Sequence, residues 1–340
     1  MKLKNYNKFY FEYGRTALKF GLISANIQKA SSILIPEFIC DAIIQPLEEI
    51  GLNIKFYKIE KNFSPSIRSI QEQIDSSVKT LMIVHYFGFF QNLDRIKKIC
   101  EENSLLLVED SSHGYGYVEN AEKENKLGDI IFSSPRKSFN IPFGGALYLK
   151  KKYKIKLNIK YRKNFFLHYY KWFIKHKIKN ILETNNDFNK LIRFQPKYWD
   201  DTLWDEAHIE NNCLNQFIIQ KINKESLVKN SLLRRQEFKF WEDFILKKDS
   251  LEPVYKSLEK NSIPLCYPVI TKNYDETKFW YNWGWKNGID IRSWPNLPKE
   301  IKYKKGKPYK RWQRFLWIPI YGRKNLSKLD YHINKNIMDI

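Results

Sequence analysis

Short apolar runs alternate with stretches of helical period through the first 150 residues. SILIP (32–36), LMIVHY (81–86) and LLLVED (105–110) are nearly continuous apolar segments, as expected of strands covered on both faces. Further strands are predicted at 54–59, 129–133 and 146–149, and helices at 14–26, 41–50, 67–74 and 93–102. Strands and helices in alternation predict an α/β domain, whose ligands bind beyond the carboxyl ends of the strands. Past residue 150 the pattern changes. Residues 151–245 read as mainly helical and aromatic-rich. Residues 246–340 read as α+β, with helices at 251–261 and 326–337 and strands at 265–270, 289–294 and 315–320. Three units are therefore expected: 1–150 as the core of a large domain, 151–245 as a basic, aromatic connecting region, and 246–340 as a small C-terminal domain. No internal repeat or low-complexity tract is visible.

Composition narrows the function classes. A chain of 340 residues, 43% of them hydrophobic, has ample length for a buried core. With 13 Gly and 13 Pro it is neither collagen-like nor low-complexity. Cys40, Cys100, Cys213 and Cys266 are scattered and form no CxxC pair, which argues against a zinc site and a disulfide framework and fits a reducing cytoplasm. No run of about 18 apolar residues is present, and the first residues lack the apolar core of a signal peptide, so a cytoplasmic location is expected. His168, His176, His208 and His332 have no Cys, Asp or Glu at metal-ligand spacing, so no metal is expected.

Charge is lopsided: 59 Lys and Arg against 37 Asp and Glu, a net +22. An A+T-rich coding bias toward Lys, Asn and Ile accounts for a widely spread excess. An anionic partner is the sharper reading. One cluster stands out. Between Lys150 and Lys179 there are twelve Lys or Arg and no acid, interleaved with Phe165, Phe166, Tyr169, Tyr170, Trp172 and Phe173. That mixture suits an interfacial helix on an anionic membrane surface. The plainer reading is a helical hairpin packed on a dimer, with a solvated basic face. No nucleic-acid recognition motif is present, so nucleic acid is not expected as a partner.

The chemistry-bearing residues gather at predicted strand ends. Asp110 closes LLLVED and is followed by Ser111, Ser112 and His113. Lys137 lies in FSSPRK, with Gly144 and Gly145 seven and eight residues on. Gly14, Arg15 and Thr16 open the first helix. Singly, each has an ordinary explanation: a helix cap, a solvated lysine, a turn. In this order and spacing, with IPEFIC (35–40), VHYFG (84–88), VEDSSH (108–113), GDIIFSSPRK (128–137) and FGGAL (143–147), they resemble the DegT-type sugar aminotransferases. These are pyridoxal-phosphate (PLP) enzymes of the aspartate-aminotransferase fold. The resemblance spans about residues 10–150 and returns at 288–298 and 315–320.

The resemblance implies a three-layer α/β/α large domain with a mixed, mostly parallel sheet, plus a smaller α+β C-terminal domain. It implies PLP as cofactor, with Lys137 as its covalent anchor and proton carrier, the roles of a lysine amine with a lowered pKa. Asp110 would face the pyridine nitrogen, and His113 the ring's phenolic oxygen. Gly14, Arg15 and Thr16 would hold the phosphate, with a hydroxyl from Ser133 or Ser134. Asn211 is the candidate that would reach across to a partner subunit's phosphate. A homodimer is implied, as are an amino-acid donor, L-glutamate, and a nucleotide-linked keto-deoxysugar acceptor used in surface polysaccharide or glycan synthesis. For these anionic substrates Arg162, Lys163, Lys304, Lys305, Lys310 and Arg311 are the candidate cations.

Two departures matter. Cys40 stands where the family commonly stacks an aromatic on the cofactor ring, so Cys40 packs there itself or Phe38 or His85 takes over. His85 is equally open to a packing role. The loop from Gly128 to Lys137 is about two residues short, as in a subgroup carrying Ser-Leu-Arg-Lys. Relatives that replace the lysine act as dehydratases. Trp294 and Trp317 are expected in the core. The alternatives are a PLP enzyme of the same fold with another outcome or acceptor, such as a dehydratase or one using a non-sugar ketone, and a cofactor-free binding or regulatory protein that kept the fold.

Overall fold

A computed structural model describes residues 4–116, 118, 127–155, 160–185, 212–224, 227–260, 262–323 and 326–337. Among the described residues, the apolar runs of the first half become the parallel side of a nine-stranded sheet. These strands are β2 (Ser32–Pro36), β3 (Asn53–Tyr57), β4 (Val78–Val84), β5 (Leu106–Asp110) and β6 (Ile130–Ser133), in spatial order β3-β2-β4-β5-β6. The helices α1 (Gly14–Ser24), α2 (Ile44–Glu49), α3 (Ile67–Gln73) and α4 (Asp94–Glu102) lie between or ahead of them in the chain. Side chains one residue apart on a strand point to opposite faces. Thus Leu107 packs with Ile96 and Ile99, while Val108 and Phe132 pack with Leu18 and Leu22 of α1. Each such fully buried aliphatic chain contributes about 1.5–3 kcal/mol.

The sheet continues past β6 through strands of mixed direction. β7 (Gly145–Lys150) runs antiparallel to β6, and β1 (Tyr6–Phe11) runs antiparallel to β7 with Tyr6 opposite Lys150 and Phe11 opposite Gly145. β8 (Lys160–Tyr161) and β9 (Asn212–Cys213) complete the edge. Five of the eight pairings in this sheet are parallel. β1 was not expected. Its segment, YNKFYF, mixes aromatics with polar residues and has no continuous apolar run to mark it.

The second sheet holds β10 (Leu251–Pro253), β11 (Cys266–Thr271), β12 (Arg292–Ser293) and β13 (Phe315–Pro319) in the order β10-β11-β13-β12, all antiparallel. The helix expected at 251–261 is instead β10 followed by irregular chain. Leu251, Val254, Tyr255 and Leu258 do sit on the core, and their spacing of three and four mimics a helical stripe. Pro253 resolves the ambiguity: it lacks an amide and occupies the edge strand, where that loss is tolerated. The strand expected at 289–294 narrows to β12.

The connecting stretch is divided between the two sheets. β8 and β9 belong to the large one. Three helices follow β7: α6 (Phe165–Asn185), α7 (Gln216–Lys224) and α8 (Leu227–Ile245), the short α5 being Pro135–Ser138 after β6. α8 buries Phe238, Trp241 and Ile245 in the core that also covers the small sheet. That sheet is further covered by α9 (Tyr274–Lys286), another helix the pattern did not announce, capped by Asn273, whose side chain accepts from the Glu276 amide. The short α10 (Lys299–Tyr303) and α11 (Lys307–Gln313), and α12 (Leu326–Ile337), complete the fold.

The two sheets are joined at Phe87 and Gly88. Their carbonyls accept from the amides of Leu265 (2.8 Å) and Ile263 (3.0 Å). Gly88 has φ +88°, and a Cβ there would lie 1.9 Å from the Ile263 carbonyl oxygen. Both facts demand glycine. Gly88→Ala should lower unfolding stability by more than about 2 kcal/mol, since it combines backbone strain with a clash against a fixed carbonyl. Urea denaturation showing a loss under about 0.5 kcal/mol would mean that the joint yields freely.

Candidate active site

Asp110 is the last residue of β5 and lies in register with Val84 and Phe132. Its Oδ1 accepts from the Ser112 amide at 2.8 Å, which fixes the carboxylate at the strand tip. Burial pushes its pKa up, while Lys137, the Ser112 bonds and His85 hold it down. Glu109, one residue earlier, faces the other side of the sheet. There its Oε2 lies 2.8 Å from His85 Nε2, and its Oε1 accepts from the Gly128 amide.

That alternation settles the position of His85. Its Nδ1 accepts from the Gln91 amide at 3.0 Å, which leaves the proton on Nε2 for Glu109. Both ring nitrogens are therefore held within the scaffold, on the face opposite Asp110. Phe38 is fully buried among Phe63, Trp294 and Phe315, with ring centroids 5.0–5.9 Å away. Neither replaces a ring-stacking aromatic. Of the three candidates only Cys40 is partly open and within electrostatic reach of Lys137. Burial and neighbouring Asp41 push its thiol up to about 12, so it is a neutral, polarizable group. Trp294 is buried, as expected, yet its ring edge meets His113 at 5.9 Å.

His113 takes the Phe87 amide on Nδ1 at 3.1 Å and stacks on the Phe87 ring at 5.7 Å. Desolvation and the nearby Lys137 charge keep its pKa well below 6.5, so the imidazole is neutral with its proton on Nε2. Phe87 itself has φ +58°, an unusual conformation for a bulky residue. It is held by the joint to Leu265 and by stacking between His113 and Phe315.

Lys137 rides on α5, which Pro135 opens just past the end of β6. The residue is exposed, yet the protein around its amine desolvates it. Desolvation lowers its pKa, and adjacent Arg136 lowers it further against the pull of Asp110. Lys137 and Asp110 thus stand in each other's field.

Beside them lies a cradle of orphaned polar atoms. α1 starts at Gly14 with no side-chain cap from Tyr13, so its first amides lack helical partners. Arg15 Nε, Thr16 Oγ1, Ser133 Oγ and Arg136 Nε are buried without a hydrogen-bond partner. A Cβ on Gly14 would lie 3.2 Å from the Ser133 carbonyl oxygen and 3.6 Å from Ser112 Oγ, so the tips of α1, β5 and β6 meet there. Arg15 and Arg136 flank the Tyr13 ring, their guanidinium carbons 5.2 and 6.0 Å from its centroid. Unpaired buried donors around a helix N-terminus call for an anion. Ser134 differs from Ser133: its hydroxyl donates to the Gly144 carbonyl at 3.4 Å. Arg136 was not singled out in the sequence. Its position next to Lys137 in a Pro-started turn was the available signal.

Other candidates fall elsewhere. Arg162 forks onto the fully buried Glu12 (Nε–Oε1 2.9 Å, Nη2–Oε2 2.8 Å), which also takes Asn212 Nδ2 at 3.1 Å, so Arg162 is a structural ion pair rather than a substrate cation. Arg311 donates to the Glu60 carbonyl at 2.8 Å and lies over Phe63. Lys163, Lys304, Lys305 and Lys310 are on the surface. Asn211 lies outside the described residues. Among the described residues no group of three or more His, Cys, Asp or Glu could hold a metal.

Arg234 and Glu237 of α8, both missed in the sequence, hold the rear of the site. Arg234 donates to the carbonyls of Ser138 (3.0 Å), Pro264 (3.3 Å) and Ile320 (2.9 Å). The buried Glu237 accepts the amides of Tyr321, Gly322 and Arg323. One helical turn thereby ties the lysine-bearing helix to the segments flanking β11 and β13 of the second sheet.

An amine and a carboxylate in each other's field, a neutral imidazole and a set of orphaned donors at a helix start fit a PLP-type transferase scaffold. Residues 11–162 match the model of the DegT/DnrJ/EryC1/StrS aminotransferase family, so the likeness in the motifs holds over that stretch. The chain is 25% identical over 118 residues to the GDP-perosamine synthase of Vibrio cholerae (34% of this chain, 32% of that one). It is 30% identical over 103 residues to the GDP-4-keto-6-deoxy-D-mannose 3-dehydratase of Escherichia coli O55:H7 (30% of this chain, 26% of that one). These matches span about a third or less of the relatives' length. NtdA of Bacillus subtilis, solved with the cofactor PMP bound, superposes with a TM-score of 0.68 over 99% of this chain and 74% of its own, at 16% identity. This likeness shows the fold, which is the expected α/β transferase architecture with a mixed, mostly parallel large sheet.

Arg136→Met should weaken PLP binding about 10- to 100-fold, the loss of one charge-assisted phosphate contact. Fluorescence titration checks this; an unchanged dissociation constant would remove Arg136 from the cradle.

Proposed function

We propose that the protein is a PLP-dependent aminotransferase that moves an amino group from an amino acid, L-glutamate, to a nucleotide-linked keto-deoxysugar for surface glycan synthesis. The observation that carries this reading is Lys137 and Asp110 standing in each other's electrostatic field, with orphaned donors at the start of α1 and on Arg136 next to the lysine. Bound there, PLP supplies the electron sink that lets an amino group leave one carbon and rejoin another.

The chain's own residues supply the rest. Arg15, Thr16, Ser133 and Arg136, with the first amides of α1, would hold the phosphate. Asp110 would accept from the ring nitrogen and keep its proton in place. His113 would donate from Nε2 to the ring oxygen. Lys137, with its pKa lowered, would offer its amine to the aldehyde and carry the proton at the substrate's α-carbon. Cys40 would stand beside the ring as a neutral thiol.

The partial match to a dehydratase supports a second reading, the same fold with another outcome. The lysine at 137 favours transamination, because the resemblance links dehydration to loss of that lysine. A homodimer and a cytoplasmic location are part of the proposal. Among the described residues no helix is long and apolar enough to cross a membrane.

Borohydride treatment with PLP should leave a stable mass increment on the peptide holding Lys137, absent in Lys137→Ala. With glutamate, the PLP-loaded protein should release 2-oxoglutarate. No increment at Lys137 would favour a cofactor-free binding protein, and an increment without 2-oxoglutarate would reject glutamate as donor. The pH dependence has a definite sign. Only a neutral amine attacks the aldehyde, so PLP capture should rise with pH and level off below the ordinary lysine value of 10.5. Arg136→Met removes a cation that lowers the lysine pKa, so its inflection should move to higher pH in stopped-flow absorbance.

A further inference from the structure

α6 is two-sided in an unusual way. Phe165 and Tyr169 are buried against α7, where Lys221 Nζ donates to the Tyr169 hydroxyl at 2.8 Å. The other side exposes Phe166, Leu167, Tyr170, Phe173, Ile174 and Ile178, each 37–56% accessible. At 3.6 residues per turn these six fill an arc of about 140°. Lys171 and Lys175, both exposed, run along one border, exposed Lys177 lies within the arc, and Lys163 precedes the helix. From Lys150 through Lys179 there is no acidic residue. Scattered exposed apolar residues are ordinary, but six contiguous ones on one helix mark an interaction face.

Charge selects the occupant. A second copy whose two-fold axis passed through this face would set it against itself, bringing Lys171, Lys175 and Lys177 against their own copies. Nucleic acid would satisfy the lysines, but its contacts are mostly polar ones to phosphate and sugar, which leaves six apolar side chains without partners. An anionic lipid surface satisfies both halves: the apolar arc enters the headgroup boundary, and the ammonium groups stay among the phosphates. We propose that α6 is a peripheral membrane-docking helix that seats the protein on anionic lipid, with the apolar arc inward and Lys163, Lys171, Lys175 and Lys177 at the headgroups.

Co-sedimentation of the full chain with vesicles tests this. Vesicles mixing phosphatidylserine with phosphatidylcholine should bring the protein down at about 0.1 M salt, and phosphatidylcholine alone should not. The triple variant Lys171→Glu, Lys175→Glu, Lys177→Glu should lose at least about tenfold in partitioning, given the attraction of each basic residue to an anionic surface. Phe166→Ser, Tyr170→Ser, Ile174→Ser should lose it comparably while the sedimentation coefficient in free solution stays that of the wild type. The proposal is overturned if the wild type ignores anionic vesicles, if it binds neutral ones equally, or if the triple-Glu variant still binds. It is also overturned if the serine variant changes oligomeric state in free solution, which would make the face a contact between copies.

Discussion

The pairing of β4, β5 and β6 is the constraint on which the rest of the site depends. Their register sets Val84, Asp110 and Phe132 side by side. Because side chains alternate along β5, two adjacent carboxylates reach opposite faces of the sheet. Glu109 becomes a buried clamp for His85 and Gly128. Asp110 becomes the acid that faces Lys137. A slip of one residue would exchange them and put the clamp in the cleft. The apolar packing on both faces prevents that slip, so core burial specifies which carboxylate lies in the field of Lys137.

Lys137 depends on a second constraint, because a four-residue helix cannot hold a side chain by itself. Arg234 ties the Ser138 carbonyl to those of Pro264 and Ile320, and Glu237 gathers the amides that follow Ile320. The Phe87–Gly88 joint meets the small domain at Ile263 and Leu265, the opposite flank of Pro264. It also presents the Phe87 amide to His113 and so sets the imidazole tautomer. The second sheet is therefore tied to the lysine-bearing turn and to His113 through the loops of the first.

How much of this the sequence disclosed follows from the range of the forces involved. The parallel strands, Asp110, Lys137 and the glycine-opened first helix were legible because continuous apolar runs and tight turns are local signals. β1 was not, since an aromatic and polar segment becomes a strand only by lying between β7 and β9. The stripe from Leu251 to Leu258 misled because a β-edge followed by a loop can reach the same core as a helix. His85 could be read either way until its face was known. Arg162 looked like a substrate cation because a buried acid 150 residues away, Glu12, has no signature linking the two. Arg136 escaped because its unpaired nitrogen is a property of the folded cradle alone.

The basic excess is best understood by where its members end up. Arg162, Arg234, Arg311 and Arg323 are bound to Glu12, backbone carbonyls or Glu237, so they are part of the scaffold. Arg15, Arg136 and Lys137 crowd together without an equal number of acids, which is costly unless an anion joins them. An anion bound there would relieve that cost and give partners to the unpaired guanidinium nitrogens of Arg15 and Arg136. On α6 the lysines are solvated and cost little. What is unfavourable there is the apolar arc they border. The two concentrations of positive charge thus answer different constraints: in the cleft unpaired charge requires an anion, and on α6 exposed hydrocarbon requires a surface.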